Sequence, residues 1–416
     1  MKNKLGKLFL GVTTLITLAA CGNDTDEGDT GGDGAAADEL SVWVMGDGNE
    51  QTQEIFDFYT EETGTEINFQ SIPWSAAHDR LLTAVASGEG PDVVQMGSTY
   101  MAEFVDAGAL ADLTEYVESR DTLNPENFYD GNVQTTEFDG SYYAVPWYTE
   151  TRALYYRQDL LEEVGYPEGP NNWDELYDAA VSLSERGDNM YGFDINFQEP
   201  TFGFMFAKQN GSEIITEDGE SVINEPEFVE AIEYLDSFTE AGASPTQDLG
   251  LELSQSFGGD GIVPMFISGP WSITNITQET TDIEGDWAIR TLPEGPVSNV
   301  SNTGGANLAV WSSSENVEEA VDLIEHMVST DSLLTYYENT SSLPALIEAW
   351  EEEPFQGENM TVFREQLENS EHMPVIKEWA SISESYLSSI EQMLVGGADI
   401  QETLDNLDAE VQSLLD

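Results

Sequence analysis

The chain has 416 residues, 40% hydrophobic and 10% aromatic, a composition that excludes a wholly disordered chain. Twelve Lys and Arg face 81 Asp and Glu, a formal net charge of −69. So acidic a surface repels nucleic acid and anionic membrane faces, and neither is expected as a partner.

The chain opens "MKNKLGKLFLGVTTLITLAAC". Lys2, Lys4 and Lys7 precede an apolar run, Leu8 to Leu18, that ends in the small residues Ala19 and Ala20. This pattern predicts a secretory signal peptide over residues 1–20. The run is shorter than the roughly 20 residues a membrane span needs. Its removal takes three lysines and no acid, which leaves nine basic residues and a charge of −72. Cys21 is the only cysteine, so it forms no internal disulfide; a free thiol beside the cleavage site is one reading. Residues 21–39 are rich in Gly and Asp and have no aromatic, Leu, Ile or Val, so they predict a solvated acidic tether. Their Asp spacing lacks the Glu that would close a calcium loop. The acidic surface fits high external salt, which screens self-repulsion, and so a halophilic source.

The folded part begins at Leu40 and spans roughly 375 residues, enough for two domains. "LSVWVM" predicts a strand from Leu40 to Met45, ending in Gly46, Asp47, Gly48, Asn49 and Glu50. A helix follows, with Ile55, Phe58, Tyr59 and Glu62 at helical spacing and Gly64 as its stop. "TEINFQSI" alternates as a strand does, "AHDRLLTAVASGEG" is a helix ending at Gly88, "PDVVQMG" a strand and "TYMAEFVDAGAL" a helix. This alternation predicts an α/β unit with a mainly parallel core.

"YYAVPWYTETRALYYR" is a long apolar stretch. Two helices follow, one burying Leu176, Ala179, Ala180 and Leu183, the other Phe228, Ile232, Leu235 and Phe238. "GIVPMFISGPW" and "GANLAVW" read as strands, and "NVEEAVDLIEHMVS" as a helix. Two amphipathic helices close the chain, on stripes through Ile382, Tyr386, Ile390, Met393 and Leu394 and through Ile400, Leu404, Leu407, Val411 and Leu414. The sequence has no GxSxG, HExxH, P-loop or Cys/His cluster, and His78, His326 and His372 are scattered. A metal site, a cofactor or a His-based catalytic triad is therefore not expected, and any energy source sits on a partner.

The stretches "SVWVMGDG", "HDRLLTAVASGEGPDVVQMGSTYMAEFVDAGALADLT", "YYAVPWYTETRALYYRQDLLEEVG", "NWDELYDAA", "GIVPMFISGPWSI", "TGGANLAVW" and "EEAVDLIEHMVSTDS" together resemble the extracellular solute-binding proteins of bacterial ABC importers. They are most similar to the sugar-binding cluster that includes the maltose-binding protein, and the resemblance runs from about Leu40 to the C-terminus. "LAAC", Leu18 to Cys21, resembles the lipobox of the lipoprotein members. The resemblance implies lipidation of Cys21, a place on the extracellular face of the cell membrane, and membrane contact only through that anchor. It also implies a monomer that binds a carbohydrate and works with ABC permease subunits.

The implied fold is two α/β lobes of the periplasmic-binding-protein type, each discontinuous, with a ligand cleft between them. Crossings are expected near Val145 and Pro146, near Leu292 and Pro293, and at Tyr336 to Leu343. The first lobe would then be 40–145 plus 293–336, and the second 146–292 plus 337–416.

Ligands of open α/β sheets lie beyond the carboxyl ends of strands. Candidates there are Asp47 and Glu50 after the first strand, Trp74 after the second, and Ser98 and Tyr100 after the third. The crossing adds Trp147, Tyr148, Glu150 and Arg152; "SGPW" adds Trp271; "TGGAN" adds Gly304, Gly305 and Asn307. Aromatic faces suit the C–H face of a pyranose, and carboxylates, amides and Arg suit its hydroxyls. Each also has a structural use. Trp147 and Trp271 could be core, Arg152 could be an ion pair with Glu150, and Asp47 and Glu50 could be solvated. The two glycines allow close approach of backbone to ligand or to a neighbouring strand. Trp43, Trp173, Trp287, Trp311 and Trp379 lie in core patterns. Two other readings stay open: a polyamine or glycerol phosphate as ligand, and a secreted glycoside hydrolase, which needs two carboxylates about 5 to 9 Å apart.

Overall fold

Leu40, Val42 and Val44 point to one face of the first strand and are fully buried there. The helix behind them, Glu50–Thr63, adds Ile55, Phe56 and Tyr59 to the same core. Phe58, expected on that face, is 52% exposed. One residue of helix turns about 100°, which carries Phe58 off the stripe that Tyr59 occupies. Gly64 ends the helix at φ +84, and Gly88 caps the helix Trp74–Ser87 in the left-handed region, as expected of both. The computed structural model describes residue 37 and residues 39–416 except 47–49, 217 and 248, and leaves out the side chains of Glu50 and Gln51. The expected signal peptide, Cys21, most of the tether, and the side chains of Asp47 and Glu50 lie outside the described residues.

The strands among the described residues are β1 (Glu39–Met45), β2 (Glu66–Ile72), β3 (Val93–Gly97), β4 (Glu137–Phe138), β5 (Ser141–Tyr142), β6 (Val145–Glu150), β7 (Ala153–Arg157), β8 (Met265–Ser268), β9 (Trp287–Arg290), β10 (Ser301–Val310), β11 (Leu343–Pro344) and β12 (Ser370–His372). The larger sheet runs β11-β6-β10-β3-β1-β2, with β12 beside the start of β10. Its two faces are covered by separate apolar clusters, one on Val42, Val93 and Leu308, the other on Met45, Val94 and Ala309. β1, β2 and β3 pair in parallel, as do β10 and β12, but β10 is antiparallel to both β3 and β6. The expected mainly parallel core is therefore a mixed sheet. β10 enters from the second half of the chain, so no crossover helix forces it to run with β3.

A second sheet, β8-β7-β9, is wholly antiparallel. Leu154, Tyr156, Met265 and Ile267 face one cluster, and Ala153, Tyr155 and Ile289 face another. The helices Trp173–Ser184 and Pro226–Glu240 bury all eight residues expected of them. The last helices, Trp379–Ile390 and Ile400–Leu415, pack on the same side of this sheet.

The stretch "YYAVPWYTETRALYYR" is two strands in two sheets. Val145 and Pro146, the expected crossing, pair with β10 inside the larger sheet. The chain changes sheet at Thr151 and Arg152. It returns between Arg290 and Ser301, and leaves again after Leu343 and Pro344, which pair with β6.

Candidate functional site

β6 ends in Glu150, and the two-residue link to β7 carries Arg152. The Arg152 backbone N–H donates to Ser301 Oγ at 3.0 Å, which ties this link to the first residue of β10. "SGP" turns the chain from β8 into the helix Trp271–Glu279, with Trp271 as its first residue. A third segment passes β8 through the bridge between Asp194 and Phe266 and reaches Glu199, just before the helix Pro200–Gln209.

These three segments bring four side chains together. Arg152 Nη2 and Nε donate to Glu199 Oε1 at 2.7 and 3.1 Å, and Nη1 reaches Glu150 Oε2 at 3.5 Å. The guanidinium carbon lies 4.9 Å from the Trp271 ring centroid, a cation–π contact. Thr201 Oγ1 also donates to Glu199 Oε1, at 2.9 Å. The Trp271 ring packs on Gly269, where a Cβ would fall 2.1 Å from the ring. Arg152 is mostly buried, at 12% side-chain exposure, and its carboxylate partners keep about a quarter, at 24% and 23%. Burial pushes the Glu150 carboxyl above its ordinary value; Arg152 pulls it back and Glu199 adds to the rise. Burial opposes the charge of Arg152, yet Glu199 and then Glu150 hold its pKa above the ordinary value.

Beneath this group, Tyr148 is buried and accepts a bond from Gln95 Nε2 at 3.1 Å, while Gln95 Oε1 accepts from the Met45 backbone at 2.9 Å. Tyr148 thus locks β6 to β3 and β1. Burial raises its phenol far above the ordinary value, with Tyr336 and Glu150 adding to the rise. Gly305 has φ +120, and a Cβ there would sit 2.2 Å from the Tyr148 carbonyl oxygen. Its close approach is therefore to the neighbouring strand. Gly304 lies opposite Glu150, with space for a Cβ 3.6 Å from Oε2.

Two expected site residues lie in the core instead. Trp147 is 0% exposed, its ring 4.3 Å from that of Tyr336, and so cannot stack on a ligand. It follows Pro146 in a strand covered on both faces, and its side chain points into one of those covers. Asn307 is 1% exposed and donates to Thr135 Oγ1 at 2.9 Å within the fold.

Along the same end of the sheet, Gly97 of β3 pairs with Ala306, two residues from the Gly304 that faces Glu150. A second aromatic group stands there. Trp74 is 39% exposed and lies over Gly97, its ring 6.5 Å from Tyr100, and His78 packs 5.3 Å from Tyr100 while meeting Glu103 at 2.7 Å. Ser98 is buried beneath them.

Sequence reasoning missed Glu199, Thr201, His78 and Glu103. Pro200 after an acidic residue is a helix-start signal. The helix itself, "PTFGFMFAKQ", buries residues on every side and shows no amphipathic period, so that signal had nothing to attach to. A separate cavity of about 720 Å³ is lined by Phe197, Gln198, Leu249, Phe257, Phe266 and Leu387 among others. Its lining includes Gln198, the neighbour of Glu199, but none of Glu150, Arg152, Glu199 or Trp271.

The model of one family, described as bacterial extracellular solute-binding protein, matches residues 44–332. The diacetylchitobiose binding protein DasA of Streptomyces coelicolor is 26% identical over 350 residues, 79% of this chain and 79% of that protein. Among solved structures, the sugar-binding protein MalE of Xanthomonas citri is similar with a TM-score of 0.83 and 27% identity, covering 91% of this chain and 97% of that one. Maltose-bound MalE3 of T. maritima is similar with a TM-score of 0.77 and 25% identity, covering 90% and 99%.

Proposed function

The chain belongs to the bacterial extracellular solute-binding proteins, and from that premise we propose that it is the substrate-binding component of an ABC importer, taking a carbohydrate, most simply an oligosaccharide, into a cleft between two lobes and passing it to the permease. The observation that carries this reading is the grouping of Trp271, Arg152, Glu150 and Glu199 where the chain passes from one sheet to the other. An aromatic ring beside fixed hydrogen-bonding groups is what a pyranose needs. The strand pairings support one lobe built on β1, β2, β3, β6, β10 and β11 and another built on β7, β8 and β9, with β12 returning to the first sheet beside β10. A sugar phosphate fits poorly, because the one cation in the group is already shared by two carboxylates.

A two-lobed binder gains contacts with both lobes when it closes, so ligand shifts it toward the closed state. Titration of the mature chain with a panel of neutral and amine-bearing oligosaccharides, followed by solution scattering, tests this. The expected result is saturable binding, a smaller radius of gyration with the bound sugar, and recovery of that sugar intact. Absence of binding across the panel defeats the carbohydrate reading, and cleaved product would mark a glycoside hydrolase.

We further propose that Cys21 carries the lipid that holds a monomeric receptor on the outer face of the membrane. Each buried CH₂ contributes about 0.8 kcal/mol, so two or more acyl chains hold firmly. Cys21→Ser should move the protein from the membrane fraction to the medium. A parent protein found wholly in the medium with a free thiol defeats the proposal.

A further inference from the structure

The carboxylates of the Arg152 group are under-supplied with donors. Glu199 concentrates three bonds on Oε1, two from Arg152 and one from Thr201. Among the described residues Glu150 receives one contact, from Arg152 at 3.5 Å, the long end of hydrogen-bond range. Two acids therefore share one cation, and the group carries one excess negative charge. The other groups beside Glu150, Tyr148 and Tyr336, are phenols whose pKa values burial raises further, so they bring no positive charge.

No other cation is at hand to balance it. All nine basic residues beyond the expected signal peptide are described, and eight are engaged elsewhere. Arg120, Arg157, Lys208 and Lys377 meet carboxylates. Arg186, Arg290 and Arg364 donate to backbone carbonyls, and Arg80 lies over Trp43. A partly desolvated carboxylate without its full set of donors is costly, and a charged donor offsets that cost more than a hydroxyl does.

Resting on the carbohydrate reading above, we propose that this cleft selects by charge for an amine-bearing sugar, with a protonated sugar amine seated at Glu150 and the sugar ring against Trp271. A neutral sugar binds more weakly, because its hydroxyls leave the excess charge in place. A uronate or sugar phosphate is rejected, since its own charge would face Glu150 and Glu199 with Arg152 already taken.

The test is calorimetric titration of the mature chain at neutral pH with size-matched disaccharides: glucosamine dimer, its N-acetylated form, maltose, cellobiose and a uronate-containing analogue, with spermidine as a cation that is not a sugar. The free-amine sugar should bind at least about tenfold tighter than its N-acetylated or hexose counterparts, and the uronate at least about tenfold weaker than the neutral sugars. In Glu150→Gln the ratio of amine to neutral affinity should fall toward one. An amine sugar that binds no tighter than its neutral counterpart overturns the proposal, as does a preference that survives in Glu150→Gln. If no sugar binds but spermidine does, and loses affinity in Glu150→Gln, the carbohydrate reading fails while the charge selection stands. If neither sugars nor spermidine bind, both fall.

Discussion

Trp271→Ala is expected to weaken sugar binding about 5- to 150-fold, equivalent to 1–3 kcal/mol, while leaving the unfolding midpoint of the ligand-free protein nearly unchanged. The ring is only partly buried and belongs to none of the four apolar clusters. Its described neighbours are the Arg152 guanidinium and Gly269, so truncation opens little core. Trp147→Ala makes the contrast. That side chain is fully buried against Tyr336, and its loss should cost about 3–5 kcal/mol of folding stability through lost burial and the cavity left behind. Thermal scans without ligand and titrations at a temperature where both variants are folded separate the two effects. A Trp271→Ala protein that unfolds as readily as Trp147→Ala and still binds sugar would move Trp271 into the core and empty the site of its aromatic face.

The two tryptophans show where the sequence could be read and where it could not. Both stand near the end of an apolar strand, in "AVPWYTE" and "FISGPW", and both follow a proline. What separates them is that the strand of Trp147 is enclosed by β10 and the helix Thr330–Thr340, more than 150 residues further along the chain from Trp147. Helices with a clean apolar stripe, such as Trp173–Ser184 and Pro226–Glu240, were legible because amphipathic period depends only on near neighbours. The helix Pro200–Gln209 was not, since full burial erases the period. Glu199 went unnoticed with it, although it is the residue that holds Arg152 most closely. The direction of β10 was hidden for a related reason: short strand–helix units suggest parallel pairing, and nothing local reveals that a strand arrives from the other sheet.

Arg152→Met is expected to destabilise the ligand-free protein and to change how its stability depends on pH. Removing one partner of a buried ion pair costs about 3–5 kcal/mol, because the other charge stays behind without compensation. Two carboxylates would be left here, each about a quarter exposed to water, so a loss near the lower end, about 3 kcal/mol, is expected. The direction with pH follows from Glu150. Burial already holds its folded-state pKa above the ordinary carboxylate value, and Arg152 is the group that pulls it down. Between the unfolded and folded pKa values the native state binds more protons, so stability falls as pH rises through that window. Without Arg152 the folded value climbs and the window widens upward. The variant should therefore lose least at mildly acidic pH and most at neutral pH, where the parent keeps its cation. Glu150→Gln in the same background removes the titrating group, and should flatten the pH dependence and recover part of the neutral-pH loss. Unfolding midpoints of the parent and the two variants, measured from pH 4 to pH 8, decide it. An Arg152→Met protein as stable as the parent across that range would mean that the carboxylates are already well solvated, and the charge selection inferred for the cleft would lose its physical basis.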